Sequence, residues 1–73
     1  MDQKELSKVA DEIARFVIEQ GRVEGEDAEW WIASLSVEVT MEADERGYDN
    51  PTEISEEAVR LYRDQAPRSA DSG

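Results

Sequence analysis

The sequence contains no cysteine and no histidine, and these two absences exclude a large part of protein chemistry. Without cysteine there is no disulfide, no thiolate nucleophile and no zinc site with thiolate ligands. Without histidine the chain lacks the most common general base and metal ligand. The few glycines form no phosphate-binding loop, and no segment has the ligand order of a calcium-binding loop. We therefore expect a protein that is not an enzyme and that uses no metal and no cofactor.

Long apolar runs are missing as well. No segment approaches the roughly 18 consecutive apolar residues that a membrane-spanning helix requires. The first residues, MDQKELSK, lack the basic and apolar regions of a secretory signal peptide. We therefore expect a cytoplasmic protein, in the host cytoplasm if it is viral, with no membrane partner.

Positive charge is scarce, with 8 lysines and arginines against 19 aspartates and glutamates and a formal net charge of -11. A surface this negative repels a phosphate backbone, so we expect no direct binding to nucleic acid. Leucine, isoleucine, valine and phenylalanine account for only 14 of the 73 residues, just under the fraction of about 20% below which a highly charged chain is typically disordered. A core this small contributes little stability, so binding to a partner or to a second subunit could help the chain to fold.

The first segment has the apolar spacing of an amphipathic helix, and it predicts a helix over about 3–20. Asp2 and Glu5 have the spacing of a capping box, and Gly21 suits the position just after the helix. The apolar residues that recur at intervals of three and four, and that we expect to be buried, are Leu6, Val9, Ala10, Ile13, Phe16 and Val17.

The middle segment is compatible with two kinds of secondary structure. Apolar and polar residues alternate over 33–43, as in a half-buried strand, but no other segment could pair with such a strand in the same chain. We therefore prefer a helix over about 27–46 that ends before Gly47. The alternative is a helix–strand–helix chain whose strand at 33–43 pairs across a dimer.

On a helical wheel this second helix has two apolar stripes on opposite sides. One stripe comprises Ala28, Trp31, Ile32, Leu35, Val39 and Ala43, and the other comprises Trp30, Ala33, Val37 and Met41. Two neighbouring helices need not cover both stripes, so we expect the second stripe to contact a twin subunit or a partner. We expect Trp31 in the core and Trp30 at this contact, although both indoles could instead cover the core of the monomer.

The last helical segment is predicted over about 55–65, with Ser55 as its cap. Its expected buried residues are Ile54, Ala58, Leu61 and Tyr62. Residues 67–73 lack periodicity and predict a disordered tail after a single helical domain over 1–66. The predicted fold is an all-α, compact three-helix domain with a central two-faced helix that dimerises.

The acidic residues suggest a function. Carboxylates on rigid helices can imitate the phosphates of a nucleic acid and occupy the basic groove of a nucleic-acid-binding complex. This is the strategy of phage anti-defence proteins such as anti-CRISPRs and DNA mimics. The candidate partner-binding residues are Glu24, Glu26, Asp27, Glu29, Glu38, Glu42, Asp44, Glu45 and Asp49.

Two less specific interpretations compete with this one. A solvated acidic face keeps a protein soluble without any mimicry, and excess carboxylate also serves proteins that work in concentrated salt. The alternative function is therefore a small homodimeric helical adaptor or regulator whose acidity serves solubility or salt adaptation. In both cases the partner is a protein.

Overall fold

The computed structural model describes residues 1–67, and within them the chain forms three α-helices and no strand. The helices are α1 (Gln3–Glu19), α2 (Ala28–Glu45) and α3 (Pro51–Tyr62), and a 3₁₀ turn (Arg63–Gln65) follows α3. The all-α prediction is confirmed, and the alternative of a strand at 33–43 is wrong because these residues lie within α2. The predicted tail at 67–73 lies, apart from Pro67, outside the described residues.

Helix α1 begins and ends with the capping interactions that the sequence predicts, and α2 ends with the predicted glycine. The Asp2 side chain accepts a hydrogen bond from the Glu5 backbone amide at 2.8 Å. Gly21 has a φ of +71°, and its amide donates to the Ile18 carbonyl while the next amide, of Arg22, donates to Val17. This pair of bonds is a Schellman motif, which satisfies carbonyls that the end of α1 would otherwise leave without partners. Gly47 ends α2 in the same way, with a φ of +89°.

One hydrophobic core lies between the three helices, each of which packs against the other two. Its buried residues are Leu6, Val9, Ala10, Ile13, Ala14, Val17, Leu35, Val39, Ala43, Ile54, Ala58 and Tyr62. Phe16 and Leu61 were expected in this core, but each is 36% exposed. The Phe16 ring instead has the Arg46 guanidinium 5.0 Å from its centre. Ala14 is fully buried in the core as well.

The third helix begins earlier than the sequence prediction. Pro51 is its first residue, a position where the fixed φ of proline favours a helix and its missing amide hydrogen costs nothing. Ser55 is therefore not a cap but a buried residue of the second turn, and its hydroxyl donates to the Thr52 carbonyl at 2.8 Å. The helix also ends earlier, at Tyr62, because the chain tightens into the 3₁₀ turn.

Replacing Ser55 with alanine tests where α3 begins. Loss of a capping serine would cost about 1 kcal/mol. Because Ser55 lies inside the helix, we expect Ser55→Ala to change the free energy of unfolding by no more than about 0.5 kcal/mol, since the helix propensity of alanine offsets the lost hydrogen bond. Urea denaturation followed by circular dichroism measures this difference. A loss of about 1 kcal/mol or more would contradict the assigned start.

A buried carboxylate ties α3 to the start of α1. Glu57 is only 7% exposed, and it accepts hydrogen bonds from Arg60 in its own helix and from Ser7 and Gln3 in α1. Two of these donors thus come from α1, across the interface, and one comes from α3 itself. These bonds hold the pKa of the Glu57 carboxyl at about 2, with the Arg60 hydrogen bonds as the largest cause and that of Ser7 next.

Candidate functional site

The outer face of α2 carries an exposed apolar stripe, which we call the α2 stripe and define as Trp30, Ala33, Val37 and Met41. Trp30 is 70% exposed, Val37 56% and Met41 52%, whereas Trp31 is half-buried and packs against the core. At a rise of about 1.5 Å per residue the α2 stripe is about 16 Å long. The face predicted to contact a twin subunit or a partner is therefore open along its whole length in the single chain.

A groove of about 600 Å³ lies beside Trp30, between α2 and the loop that precedes it. Its apolar wall is formed by Trp30, Ala33 and Val37 of the α2 stripe. The loop forms the other wall with Glu24, Gly25, Glu26 and Asp27. Ser34 and Glu38 of α2 also line the groove.

The loop that forms the groove is held against α2 by specific contacts. The Glu24 backbone amide donates to the Ser34 hydroxyl oxygen at 3.0 Å, and the Asp27 side chain caps α2 by accepting from the Trp30 amide at 2.9 Å. At Gly25, a Cβ atom would lie 2.4 Å from the backbone nitrogen of Trp31. Only a residue without a side chain allows the loop to lie this close to the helix.

Arg22 joins the same loop to the side of α2 and neutralises part of the predicted acidic surface. Its Nε donates to Glu38 at 2.8 Å and its Nη1 donates to Glu42 at 2.9 Å. Arg46 donates to the other oxygen of Glu42 at 2.8 Å. The hydrogen bonds from Arg46 and then from Arg22 lower the pKa of the Glu42 carboxyl, and those to Glu42 and Glu38 raise the pKa of Arg22.

The nine acidic residues predicted to bind a partner therefore do not form one free surface. Glu38 and Glu42 are paired with arginine, and Asp27 is occupied as the helix cap. Within residues 1–67 the other six are exposed and have no lysine or arginine within ion-pair distance. They form two clusters: Glu24, Glu26 and Glu29 near the amino end of α2, and Asp44, Glu45 and Asp49 near its carboxyl end. The helix between the clusters is about 27 Å long.

Sequence reasoning missed the residues that shape the groove. The ion pairs of Arg22 are not predictable from local sequence, because its partners lie 16 and 20 residues further along the chain and only the path of the loop brings them together. The sequence also predicts no structural role for Gly25. Its position two residues before the capping Asp27 was the available signal that the chain turns sharply there.

Comparison with protein-family models, curated proteins and solved structures gives no match. In the described part of the chain, no helix is both long enough and apolar enough to cross a membrane. Nor do residues 1–67 bring three or more acidic side chains together where they could hold a metal ion.

Proposed function

We propose that the protein is a non-enzymatic interaction protein that blocks the basic surface of a nucleic-acid-binding complex, in the manner of a nucleic-acid mimic. The observation that supports this proposal is the α2 face, where an exposed apolar stripe lies between two clusters of carboxylates that have no basic partner within residues 1–67. Such a face attracts a basic surface over a long range and then excludes water from it through the apolar contact.

The position of the carboxyl-end cluster adds to this argument. Asp44 and Glu45 lie in the last turn of α2, where the helix dipole disfavours negative charge, and that turn contains no basic residue. These two carboxylates therefore do not stabilise their own helix. Solubility alone could be served by acids at less costly positions, such as the exposed Glu12 and Glu56. A partner with positive charge would explain why both lie here.

Affinity capture with charge variants tests the proposal. The protein is immobilised on a resin as bait and exposed to a lysate of the source organism at moderate salt. Retained nucleic-acid-binding proteins are quantified with and without competing DNA or RNA. We expect the competitor to displace them. We also expect a bait with Glu24, Glu26 and Glu29 all changed to glutamine to retain about tenfold less, because neutralising rim charges slows association.

A matched control removes the same charge from another face of the molecule. Glu12, Glu19 and Glu56 are exposed and lie outside α2, so their triple change to glutamine also alters the net charge by three. We expect this control bait to retain nearly as much nucleic-acid-binding protein as the unaltered chain does. Equal losses from the two triple variants would show a general effect of charge, and capture that nucleic acid does not displace would contradict mimicry.

A second candidate function is a homodimeric adaptor, and the exposure of Val37 and Met41 in the middle of α2 favours it. In such a dimer the α2 stripes of two chains would pack together. Analytical ultracentrifugation of the unaltered chain and of Val37→Glu distinguishes the candidates. An adaptor gives a dimer that the added charge splits into monomers, because an unpaired carboxylate is costly to bury. An inhibitor that uses the α2 stripe to contact its target gives a monomer for both chains.

A further inference from the structure

Trp30 is the most exposed large apolar residue of the described chain, and it stands between two depressions. The groove of about 600 Å³ lies on one side, and a smaller depression of about 410 Å³, which Glu29 also lines, lies on the other. Trp30 and Ala33 line both. The Trp30 backbone amide donates to the capping side chain of Asp27, which holds the backbone that carries the indole in place. An exposed indole on a fixed backbone is suited to serve as an anchor for a partner.

The charges around this anchor select the kind of partner. Glu24 and Glu26 border the groove and, within residues 1–67, have no basic partner, whereas Glu38 at the same groove is already paired with Arg22. A second copy of the chain would bring a net charge of -11 against this border. Like charges brought together in this way oppose association. A segment with positive charge next to apolar side chains matches the groove instead.

We infer that the groove beside Trp30 binds an arginine of a partner protein that is followed or preceded by an apolar residue. The guanidinium would stack on the Trp30 indole and donate to Glu24 or Glu26, and the apolar neighbour would contact Ala33 and Val37. Arginine suits this site better than lysine, because its planar group both stacks on an aromatic ring and donates two hydrogen bonds to a carboxylate. The inference rests on the proposed function, since it specifies which part of a basic partner the acidic face holds.

Binding of defined peptides tests the inference. The probe is a fluorescein-labelled eight-residue peptide of alternating leucine and arginine, and two matched peptides carry lysine or neutral citrulline in place of arginine. Fluorescence anisotropy at physiological salt gives their affinities. We expect lysine to weaken binding by roughly threefold to tenfold, because it keeps the charge but loses the stacking and the paired hydrogen bonds. Citrulline removes the charge, and we expect a larger loss.

Variants of the chain locate the contact. Trp30→Ala is expected to weaken the arginine peptide about tenfold or more, whereas Met41→Ala, an exposed residue of the same stripe outside the groove, should change it by less than about twofold. Changing Glu24 and Glu26 to glutamine should weaken binding more than changing Asp44 to asparagine and Glu45 to glutamine. Both double variants remove two charges, so only a local site distinguishes them. Circular dichroism verifies that each variant keeps its helices.

The outcomes separate this inference from the proposed function. If Trp30→Ala binds the peptide as well as the unaltered chain, or if both charge variants lose equally, the groove is not the site, and the inference is overturned even where lysate capture succeeds. If the peptide binds as expected but no nucleic-acid-binding complex is captured, the site is supported and the proposed function fails. If the chain binds no peptide but self-associates, and if Trp30→Ala abolishes this self-association, the groove binds a second copy of the chain and the inference is overturned.

Discussion

Replacing Gly25 with alanine is expected to destabilise the protein by about 3 kcal/mol, which is most of the stability that a domain of this size derives from its core. Two costs combine. Gly25 has a φ of +148°, a backbone conformation that residues with a side chain rarely adopt. A Cβ there would also meet the backbone of Trp31 at 2.4 Å and that of Trp30 at 2.8 Å. Because these are backbone atoms, no rotation of a side chain relieves the clash.

The same substitution is expected to damage the groove. To accommodate a Cβ, the loop must move away from α2, which lengthens the bond from the Glu24 amide to Ser34 and moves Glu24 and Glu26 away from Trp30. Arg22 lies in this loop segment, so its ion pairs with α2 would be strained as well. We therefore expect Gly25→Ala to weaken any partner held in the groove, even under conditions where the helices remain folded.

Gly21 provides the matched control. It also has a positive φ, of +71°, but an added Cβ would meet nothing within 4 Å. Gly21→Ala therefore carries only the conformational cost, about 1 kcal/mol. Urea denaturation, followed by helical circular dichroism and by tryptophan fluorescence, compares the two variants. If Gly25→Ala is no less stable than Gly21→Ala, the loop does not pack against α2 as closely as described.

Helix α1 was predictable because its local signals agree: periodic apolar residues, an acidic cap and Gly21 after the last turn. For α2 the local pattern also allowed a strand, and the helix was favoured by Gly47 and by the lack of a second strand to pair with. The start of α3 was missed because Ser55 followed by two glutamates is a strong local cap signal. Asn50 followed by Pro51 was a second signal, and the packing of Ile54 into the core favoured the earlier start.

The site was predictable only in part. A helical wheel places Trp30 and Val37 on the side of α2 opposite Leu35 and Val39, and the exposures of these residues agree with that division. A helical wheel does not predict the path of the loop before α2, because that path depends on contacts between residues far apart in sequence. Counting acidic residues therefore overstated the free carboxylates, because the pairing of Arg22 with α2 is a tertiary contact.

The substitution Glu57→Gln is expected to lower the free energy of unfolding at pH 7 by about 1 to 2 kcal/mol. The shift in the pKa of Glu57 from 4.5 to about 2 corresponds to an upper limit of about 3 kcal/mol. The expected loss is smaller for two reasons. Arg60, the main partner, is 63% exposed and therefore well solvated, and glutamine can still accept a hydrogen bond from Ser7.

The pH dependence of this difference identifies its cause. The pKa of Glu57 is lower in the folded state than in the unfolded state, so the carboxylate contributes stability that is complete above pH 4.5 and is lost as the pH falls through about 2. The gap in stability between the unaltered chain and Glu57→Gln should therefore narrow from pH 5 to pH 2. The stability of the unaltered chain alone cannot show this, because protonating the many other carboxylates relieves repulsion over the same range.

Glu56→Gln is the matched control, since Glu56 is exposed in the same turn of α3 and makes no side-chain hydrogen bond within the described residues. We expect it to change stability by less than about 0.5 kcal/mol at pH 7. Urea denaturation of all three chains at pH 7, 5, 3 and 2 gives the comparison. A gap for Glu57→Gln that stays constant from pH 7 to pH 2 would show that its effect comes from side-chain shape and not from the ionised carboxylate. The narrowing gap instead requires a charged group held between α1 and α3, where the acidity of the chain stabilises its fold rather than opposing it.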